Sequence, residues 1–549
     1  MAGGRSGGRI LVDNLVAQGC DRLFTVPGES FLAVLDALHD VPAIDVVVAR
    51  QEGGVTFMAC ADGTITRRPG IAFVTRGPGA TNASIGVHVA MQDSQPMILF
   101  IGDVARGDRD REAFQEVDFG QMFGPLAKWV ARIEDARRIP EYVARAYATA
   151  MSGRPGPVVI VLPEDMLTDI VEADDRPRVE RPAQAADAGA VAAVAAKLAS
   201  AKAPVAIIGG ADWDEAAANA FQRFAETAGL PVATAFRRQD AIDNDSPAFA
   251  GNLGYGPNPR LLDRIRAADL LLVVGARLGE ATTDGYTLVT PDHPQQYLIH
   301  VHPDPEELNR VYRADMALCA DMTRFAGALA SAASPLPSAD AAGQAHAEWE
   351  AWNSPAPREG ATLDLGQCVA AMRRRLPADS TLCNGAGNFS GWWHRYWRYK
   401  PGATQLAPTA GAMGYGLPAG VAAALRRPDR QTVVLAGDGD FLMNGQELAT
   451  AMRQHADMVV IVVDNGGYGT IRMHQEKRYP RRISATELAN PDFAAFARAF
   501  GAWAETVERT EDFAPALDRA MAQRGVRLLH LRTDMEIISA GTTISALRE

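Results

Sequence analysis

Short apolar runs recur along the chain, spaced so that a helix fits between each pair. Asp21 to Val26, Asp45 to Ala49, Ile71 to Thr75, Met97 to Ile101 and Val158 to Leu162 read as strands, rich in Val, Ile and Phe and closed by turn residues. An amphipathic helix over Arg9 to Gln18, ended by Gly19, precedes the first strand, and Phe31 to Leu38 forms a helix after the turn Pro27-Gly28-Glu29-Ser30. Nearly continuous apolar strands alternating with helices predict a parallel sheet covered on both faces. The alternation restarts at Pro204 to Gly210, continues through Leu270 to Gly275 and Tyr297 to Val301, and restarts again near Leu363. Asp174 to Gly189 is charged and holds two prolines, and Ser334 to Gln344 is rich in Ala, Pro and Ser; both read as linkers. The expected architecture is α/β, with three doubly wound parallel-sheet domains over 1–172, 190–335 and 360–533 and a tail over 534–549.

The stretch Val433 to Ile471 is the most informative. An apolar run ends in Gly437-Asp438-Gly439, a helix with apolar positions Leu442, Leu448 and Met452 follows, and a second apolar run, Met458 to Val463, ends in Asp464-Asn465-Gly466-Gly467. Two parallel strands joined by a crossover helix end on the same edge of a sheet, where open α/β sheets bind ligands. Asp438 and Asn465 should therefore stand side by side. A carboxylate, an amide oxygen and a nearby carbonyl are hard ligands suited to Mg²⁺, which completes its shell with phosphate oxygens and water.

Gly437-Asp438-Gly439 followed at this distance by Asp464-Asn465 resembles the thiamine-diphosphate motif of 2-oxo-acid decarboxylases and acetohydroxyacid synthases. The resemblance spans the chain, in the order pyrimidine-binding, middle and diphosphate-binding domain. It implies Mg²⁺ ligands at Asp438, Asn465 and the Gly467 carbonyl, and cofactor contacts at Gly437, Gly439 and Tyr468. Arg50-Gln51-Glu52-Gly53-Gly54, followed by Gly77-Pro78-Gly79-Ala80-Thr81-Asn82, is similar to the family's segment bearing a catalytic Glu. Carried over, Glu52 shares a proton with a ring nitrogen of the aminopyrimidine, and Gly77 touches the cofactor. Pro408 to Ala419 matches the run whose large apolar residue wedges the cofactor into its bent shape, which implies Ala412 and Met413 as contacts. Asn384-Gly385-Ala386-Gly387-Asn388 is a looser match to the diphosphate-contacting loop and implies Asn388.

Ala113-Phe114-Gln115-Glu116 resembles the acetohydroxyacid synthase branch, where the Gln faces the reacting carbonyl and a Lys further on, here Lys128, lies near the substrate entrance. Read by itself, Lys128 is equally an exposed structural lysine. Several positions depart from the family. Gln51 stands where many relatives have His. Glu29 replaces a small residue and is open between a second catalytic acid and a helix-start carboxylate. His474 replaces a Trp that shapes the acceptor pocket and is open between a polar pocket residue and a surface histidine.

Composition narrows the classes further. The chain has 549 residues, is 47% apolar, and has formal net charge −12, which argues against nucleic acid or an anionic membrane as partner. No apolar run reaches the roughly 20 residues of a membrane span, and Met1 to Ile10 lacks the apolar core of a secretory signal. Five scattered cysteines, without a C-x-x-C pair, suggest reduced thiols and a cytoplasmic protein. The expectation is a thiamine-diphosphate- and Mg²⁺-dependent enzyme that forms a carbanion or enamine from a 2-oxo acid and ligates it to a second carbonyl. The alternatives are a decarboxylase or C–C lyase releasing an aldehyde, and a non-catalytic nucleotide-binding relative. Gly209-Gly210 and Gly275-Ala276-Arg277 resemble positions around which flavin-bearing relatives bind FAD, and FAD stays open. Because Glu52 and Asp438 lie in different domains, the resemblance implies a homodimer or homotetramer with active sites at the subunit interface.

Overall fold

The computed structural model describes residues 4–210, 212–338 and 340–549. It contains three six-stranded sheets whose strand pairs are all parallel. Across its width the N-terminal sheet runs Asp45–Val48, Arg22–Thr25, Gly70–Val74, Met97–Asp103, Pro157–Pro163, Trp129–Arg132, which in chain order is 2-1-3-4-6-5. The C-terminal sheet repeats that order with Gln405–Leu406, Thr381–Asn384, Thr432–Gly437, Met458–Asp464, Val526–Arg532 and Trp503–Val507. The middle sheet differs, running 3-2-1-4-5-6 through Phe249–Asn252, Val232–Thr234, Pro204–Ile208, Leu270–Val274, Tyr297–His302 and Met316–Cys319.

The apolar runs became strands where expected, with ends shifted by no more than two residues. Of the strands that pattern missed, Trp129–Arg132 and Gln405–Leu406 lie at sheet edges, whereas Val232–Thr234 and Val526–Arg532 lie inside their sheets. Two readings are corrected. Ser334 to Gln344 is not linker throughout: the helix Asp340–Asn353 starts inside it and sets Trp349 edge-on against Phe249, 4.8 Å between ring centroids. The crossover after Gly437 is not one helix but Asp438–Asn444, a 3₁₀ turn Gly445–Glu447, and Leu448–Arg453. The break frees Asn444 to donate to the Gly414 carbonyl and turns Glu447 inward.

Compactness divides the chain into two units, one of the chain up to Pro182 with Gly414–Pro428 and Leu442–Ala456, the other of Ala183–Met413, Asp429–Phe441 and Asp457–Glu549. In the first unit, one sheet face packs Ile71, Phe73, Ile98, Phe100, Val158 and Ile160 against the helices Gly7–Ala17 and Ile139–Met151. Phe73 and Phe100 stack there with centroids 4.6 Å apart. The helix Glu52–Thr66 has no solvent face over Gly53 to Gly63. Gly86 lets the helix Pro78–Asp93 approach it, and Tyr415 meets Phe57 edge-on at 5.4 Å. Arg426 closes its far end by pairing with buried Asp62 at 2.7 Å. A helix buried all round shows no amphipathic stripe in sequence.

In the second unit, Ile208, Val232, Phe249, Leu272 and Val301 lie within one core beneath the helices Ala188–Ser200, Glu215–Ala228 and Met322–Ser331. Leu382, Val433, Leu435, Val459 and Ile461 lie within another, with Trp393 and Trp397. Among the described residues no helix is long and apolar enough to cross a membrane.

The tightest contact in the first unit is at Gly70, where an added Cβ would lie 1.9 Å from the Ala59 carbonyl oxygen. Gly70→Ala is expected to lift the Glu52-bearing helix and destabilise the fold by about 1–3 kcal/mol, as overpacking does. Thermal denaturation of the variant against the parent measures this.

Candidate functional site

In the second unit the C-terminal sheet reverses its strand order between Thr381–Asn384 and Thr432–Gly437, and ligands of such sheets gather outside the carboxyl ends at that point. A cavity of about 240 Å³ opens there, lined by Asn388, Met413, Asp438, Asn465, Gly467 and Tyr468 among others. The glycines of this edge exist for close approach. A Cβ on Gly439 would lie 2.6 Å from the Tyr468 ring, and one on Gly437 would lie 2.8 Å from Phe389. Gly385 admits the Asp440 carboxylate, which also accepts from the Ala386 N–H.

Asp438 is buried at the strand end. Its Oδ1 accepts the Gly439 N–H at 2.9 Å, and its Oδ2 accepts the Gly467 N–H at 3.0 Å and the Asn490 amide at 2.8 Å. Burial, with the Asp464 carboxylate beside it, nonetheless pushes the Asp438 carboxyl up to about 6. The Asn465 side-chain oxygen accepts from the same Gly467 N–H at 3.2 Å, so one turn gathers Asp438, Asn465 and the Gly467 backbone. Among the described residues no group of three His, Cys, Asp or Glu side chains could hold a metal. A cation at Asp438 would draw its other ligands from an amide, a carbonyl and a bound anion, the donor set Mg²⁺ accepts. Among the described residues no cationic side chain pairs with Asp438, and a buried carboxyl so placed fits such an ion.

Other expected residues are placed differently. Asn388 lines the cavity, but its side chain is committed: its oxygen accepts from the Thr470 hydroxyl at 3.0 Å and its amide donates to the Ile538 carbonyl at 3.1 Å. It therefore ties the loop to the helix Gly469–Arg478 and to the tail. Met413 forms part of the wall and Ala412, next to it, does not. His474 is exposed on the helix Gly469–Arg478, one turn beyond the cavity-lining Thr470. Glu476, on the same helix, takes Arg472 and Arg548 in ion pairs that hold its carboxyl down at about 2, and Arg548 carries the tail with it.

The first unit holds the second cluster. Glu52 opens its helix, and Gln51 caps it by accepting the Gly54 N–H at 3.1 Å, the work done by the departure from the family's His. The Asn82 amide donates to Glu52 Oε2 at 2.9 Å. Glu447, fully buried, accepts the Arg50 N–H at 3.1 Å and so clamps the strand end just before Glu52. A Cβ on Gly54 would strike the Glu447 carboxyl at 2.8 Å. Gly77, at φ +49°, leaves room that the Gln115 backbone occupies, 2.7 Å from where a Cβ would be.

Two first-unit residues take structural partners. Lys128 donates to the Ser152 and Arg154 carbonyls at 2.6 and 2.8 Å, at the end of the helix Ile139–Met151, which is the structural role its sequence left open. Glu29 pairs with Arg76 at 3.0 Å, and Arg76 also holds Glu164 at 2.8 Å. In the middle domain the glycine signal is consumed by packing. A Cβ on Gly210 would lie 2.2 Å from the Gly275 carbonyl, and one on Gly275 would meet Gly209 and Trp213.

Sequence reasoning missed Glu447 and Asn490. Glu447 follows Gly437-Asp438-Gly439 within one turn-rich segment, but its partner Arg50 is 397 positions away. Asn490 lies in a polar loop whose only signal is the following Pro491-Asp492, a helix start.

Comparison with known proteins agrees with this geometry. Residues 5–122, 191–329 and 385–531 match the thiamine pyrophosphate enzyme N-terminal TPP binding domain, central domain and C-terminal TPP binding domain. The Escherichia coli (strain K12) acetolactate synthase isozyme 2 large subunit is 30% identical over 534 residues, covering 96% of this chain and 96% of that protein. The Parasynechococcus marenigrum (strain WH8102) acetolactate synthase large subunit is 32% identical over 90% of this chain and 82% of its own length. The Bacillus subtilis (strain 168) acetolactate synthase is 28% identical over 96% and 93%. A buried carboxylate at a strand-order reversal, in a chain matched almost end to end by such proteins, leaves one assignment: the chain belongs to the thiamine pyrophosphate enzymes, in their acetolactate-synthase-like branch.

Proposed function

We propose that the protein is a thiamine-diphosphate- and Mg²⁺-dependent carboligase joining a 2-oxo acid, after loss of CO₂, to a second carbonyl compound. The observation that carries this reading is Asp438, a buried carboxylate on the cavity edge that three N–H donors position and that, among the described residues, no cationic side chain pairs with. When bound, thiamine diphosphate supplies the electron sink that makes such a decarboxylation possible. The chain's own residues do the rest. Asp438, Asn465 and the Gly467 carbonyl would hold Mg²⁺, which would offset the charge of a bound diphosphate. Asn82 fixes one oxygen of Glu52, so that the carboxyl would be placed to share a proton with a ring nitrogen of a bound aminopyrimidine. Met413, part of the cavity wall, would support the bound cofactor from that side. Gln115, held by the Gly77 turn, faces the reacting carbonyl, and His474 gives the acceptor side a polar group.

Two copies of the chain complete each site, with Glu52 from one and Asp438 from the other. The exposed Ile85, one turn beyond Asn82, and Phe114, beside Gln115, support this as surfaces a second copy would cover. The engagement of Glu29 by Arg76 favours ligation over an aldehyde-releasing outcome, which would call on Glu29 as a second acid. The packed glycines of the middle domain give no support to FAD, and the proposal is made without it.

Glu52→Gln is expected to lower kcat about 10²- to 10⁴-fold, the range of a lost general acid–base, and to keep the melting-temperature rise that the cofactor gives; parent-like turnover would refute the proton-sharing role. Stripping the protein with EDTA is expected to abolish CO₂ release from a 2-oxo-acid panel, with recovery only when Mg²⁺ and thiamine diphosphate return together. Cofactor at 100 times its Kd is expected to stabilise the fold by about 2.7 kcal/mol. Product analysis should find a 2-hydroxy-3-oxo acid or an acyloin; free aldehyde alone would replace the ligase reading with the decarboxylase one.

A further inference from the structure

Asn490 spends one amide nitrogen on two carboxylates. Its Nδ2 donates to Asp438 Oδ2 and to Asp464 Oδ1, each at 2.8 Å. These acids end the neighbouring parallel strands Thr432–Gly437 and Met458–Asp464, so they stand together at the cavity edge. Asp464 Oδ1 also accepts the Gly466 N–H at 3.1 Å, and its other oxygen, Oδ2, is held by His530 at 2.9 Å. Like charges this close repel, and Asp438 would relieve the repulsion by rotating away. A neutral amide with exactly two hydrogens removes that freedom without contributing positive charge. A lysine or arginine here would occupy the place of a cation and cancel the field that attracts it.

The loop leading to Asn490 acts on the backbone in the same way. Tyr468 N–H donates to the Thr486 carbonyl and Leu488 N–H donates to the Gly466 carbonyl, both at 2.9 Å, in an isolated antiparallel bridge centred on Gly467 and Glu487. These two bonds fix Gly467 from either side and leave its own carbonyl out of the pairing. The Thr486 carbonyl is so near that a Cβ on Gly467 would lie 2.4 Å from it. One short segment therefore sets both a side-chain and a main-chain oxygen of the same small site.

We infer that Thr486–Asn490 is the support of the cation site and that Asn490 is a positioning residue for Mg²⁺, acting through Asp438. This rests on the reading of Asp438, Asn465 and Gly467 as the metal ligands. Groups that orient a metal's ligands characteristically cost 10- to 100-fold in metal affinity when removed.

The test titrates MgCl₂ into apo-protein at fixed thiamine diphosphate, following melting temperature and calorimetric heat, for the parent, Asp438→Asn, Asn490→Ala and Asn490→Leu. The leucine keeps the bulk of the amide and removes both donors. Both Asn490 variants are expected to need about 10- to 100-fold more Mg²⁺ for half-maximal stabilisation, to reach the full effect when Mg²⁺ is in excess, and to melt like the parent when apo. Asp438→Asn should show no Mg²⁺-dependent stabilisation. If Asp438→Asn loses the response and both Asn490 variants titrate like the parent, the inference is overturned and the metal reading stands. A lowered apo melting temperature with an unshifted titration overturns it too, as the mark of a purely structural residue. If Asp438→Asn itself responds like the parent, the metal reading fails and takes the inference with it.

Discussion

An anion buried at the end of a β-strand must be balanced, and the molecule leaves that balance to something other than its own side chains. Asp438 sits where three parallel strands deliver their turns to one edge. Backbone N–H groups of Gly439 and Gly467 aim it, and Asn490 restrains it. None of these donors carries a full charge. Desolvation is the largest influence on this carboxyl, and the neighbouring Asp464 acts in the same direction. A site built this way is costly when empty and favourable once a divalent ion and an anionic ligand share it. The glycines let Phe389, Tyr468 and Asp440 crowd the same edge.

The cluster around Glu52 follows a related logic with a different anchor. Glu52 is placed by main-chain geometry: Gln51 caps the helix, Glu447 holds the preceding strand end by its N–H, and Gly54 and Gly79 admit the side chains around it. Among the described residues of the first unit the carboxyl takes a single side-chain hydrogen bond, from Asn82, which leaves it available to a ligand. Placement by backbone is stiff, because moving Glu52 would require moving a helix that is packed on every side.

What could be read from the sequence was what is local. The apolar runs gave the parallel strands, and Gly437-Asp438-Gly439 with Asp464-Asn465 gave the cavity edge, because a strand, a turn and a crossover fix where both ends fall. Partnerships between distant residues were not readable in this way. Lys128 matched a position in relatives, but its actual partners are the carbonyls at the end of a helix. Asn388 matched a loop, but its hydrogen bonds run to Thr470 and Ile538, 82 and 150 positions away. Glu29 reads as a free acid until Arg76, 47 positions on, is seen beside it. Glycine pairs in the middle domain left a flavin open in sequence, and the fold places Gly210 and Gly275 in contact with each other.

The helix Glu52–Thr66 has no outward face from Gly53 to Gly63, and each of its sides is already in contact with another element. Such an element cannot drift. A substitution on an ordinary surface helix has several nearly neutral choices, whereas here each position either opens a void or forces a neighbour aside. Descendants of this chain should therefore vary freely in the loops that choose a substrate, while the helix behind Glu52 accumulates change most slowly, and new specificities should arise around an activating end that stays as it was.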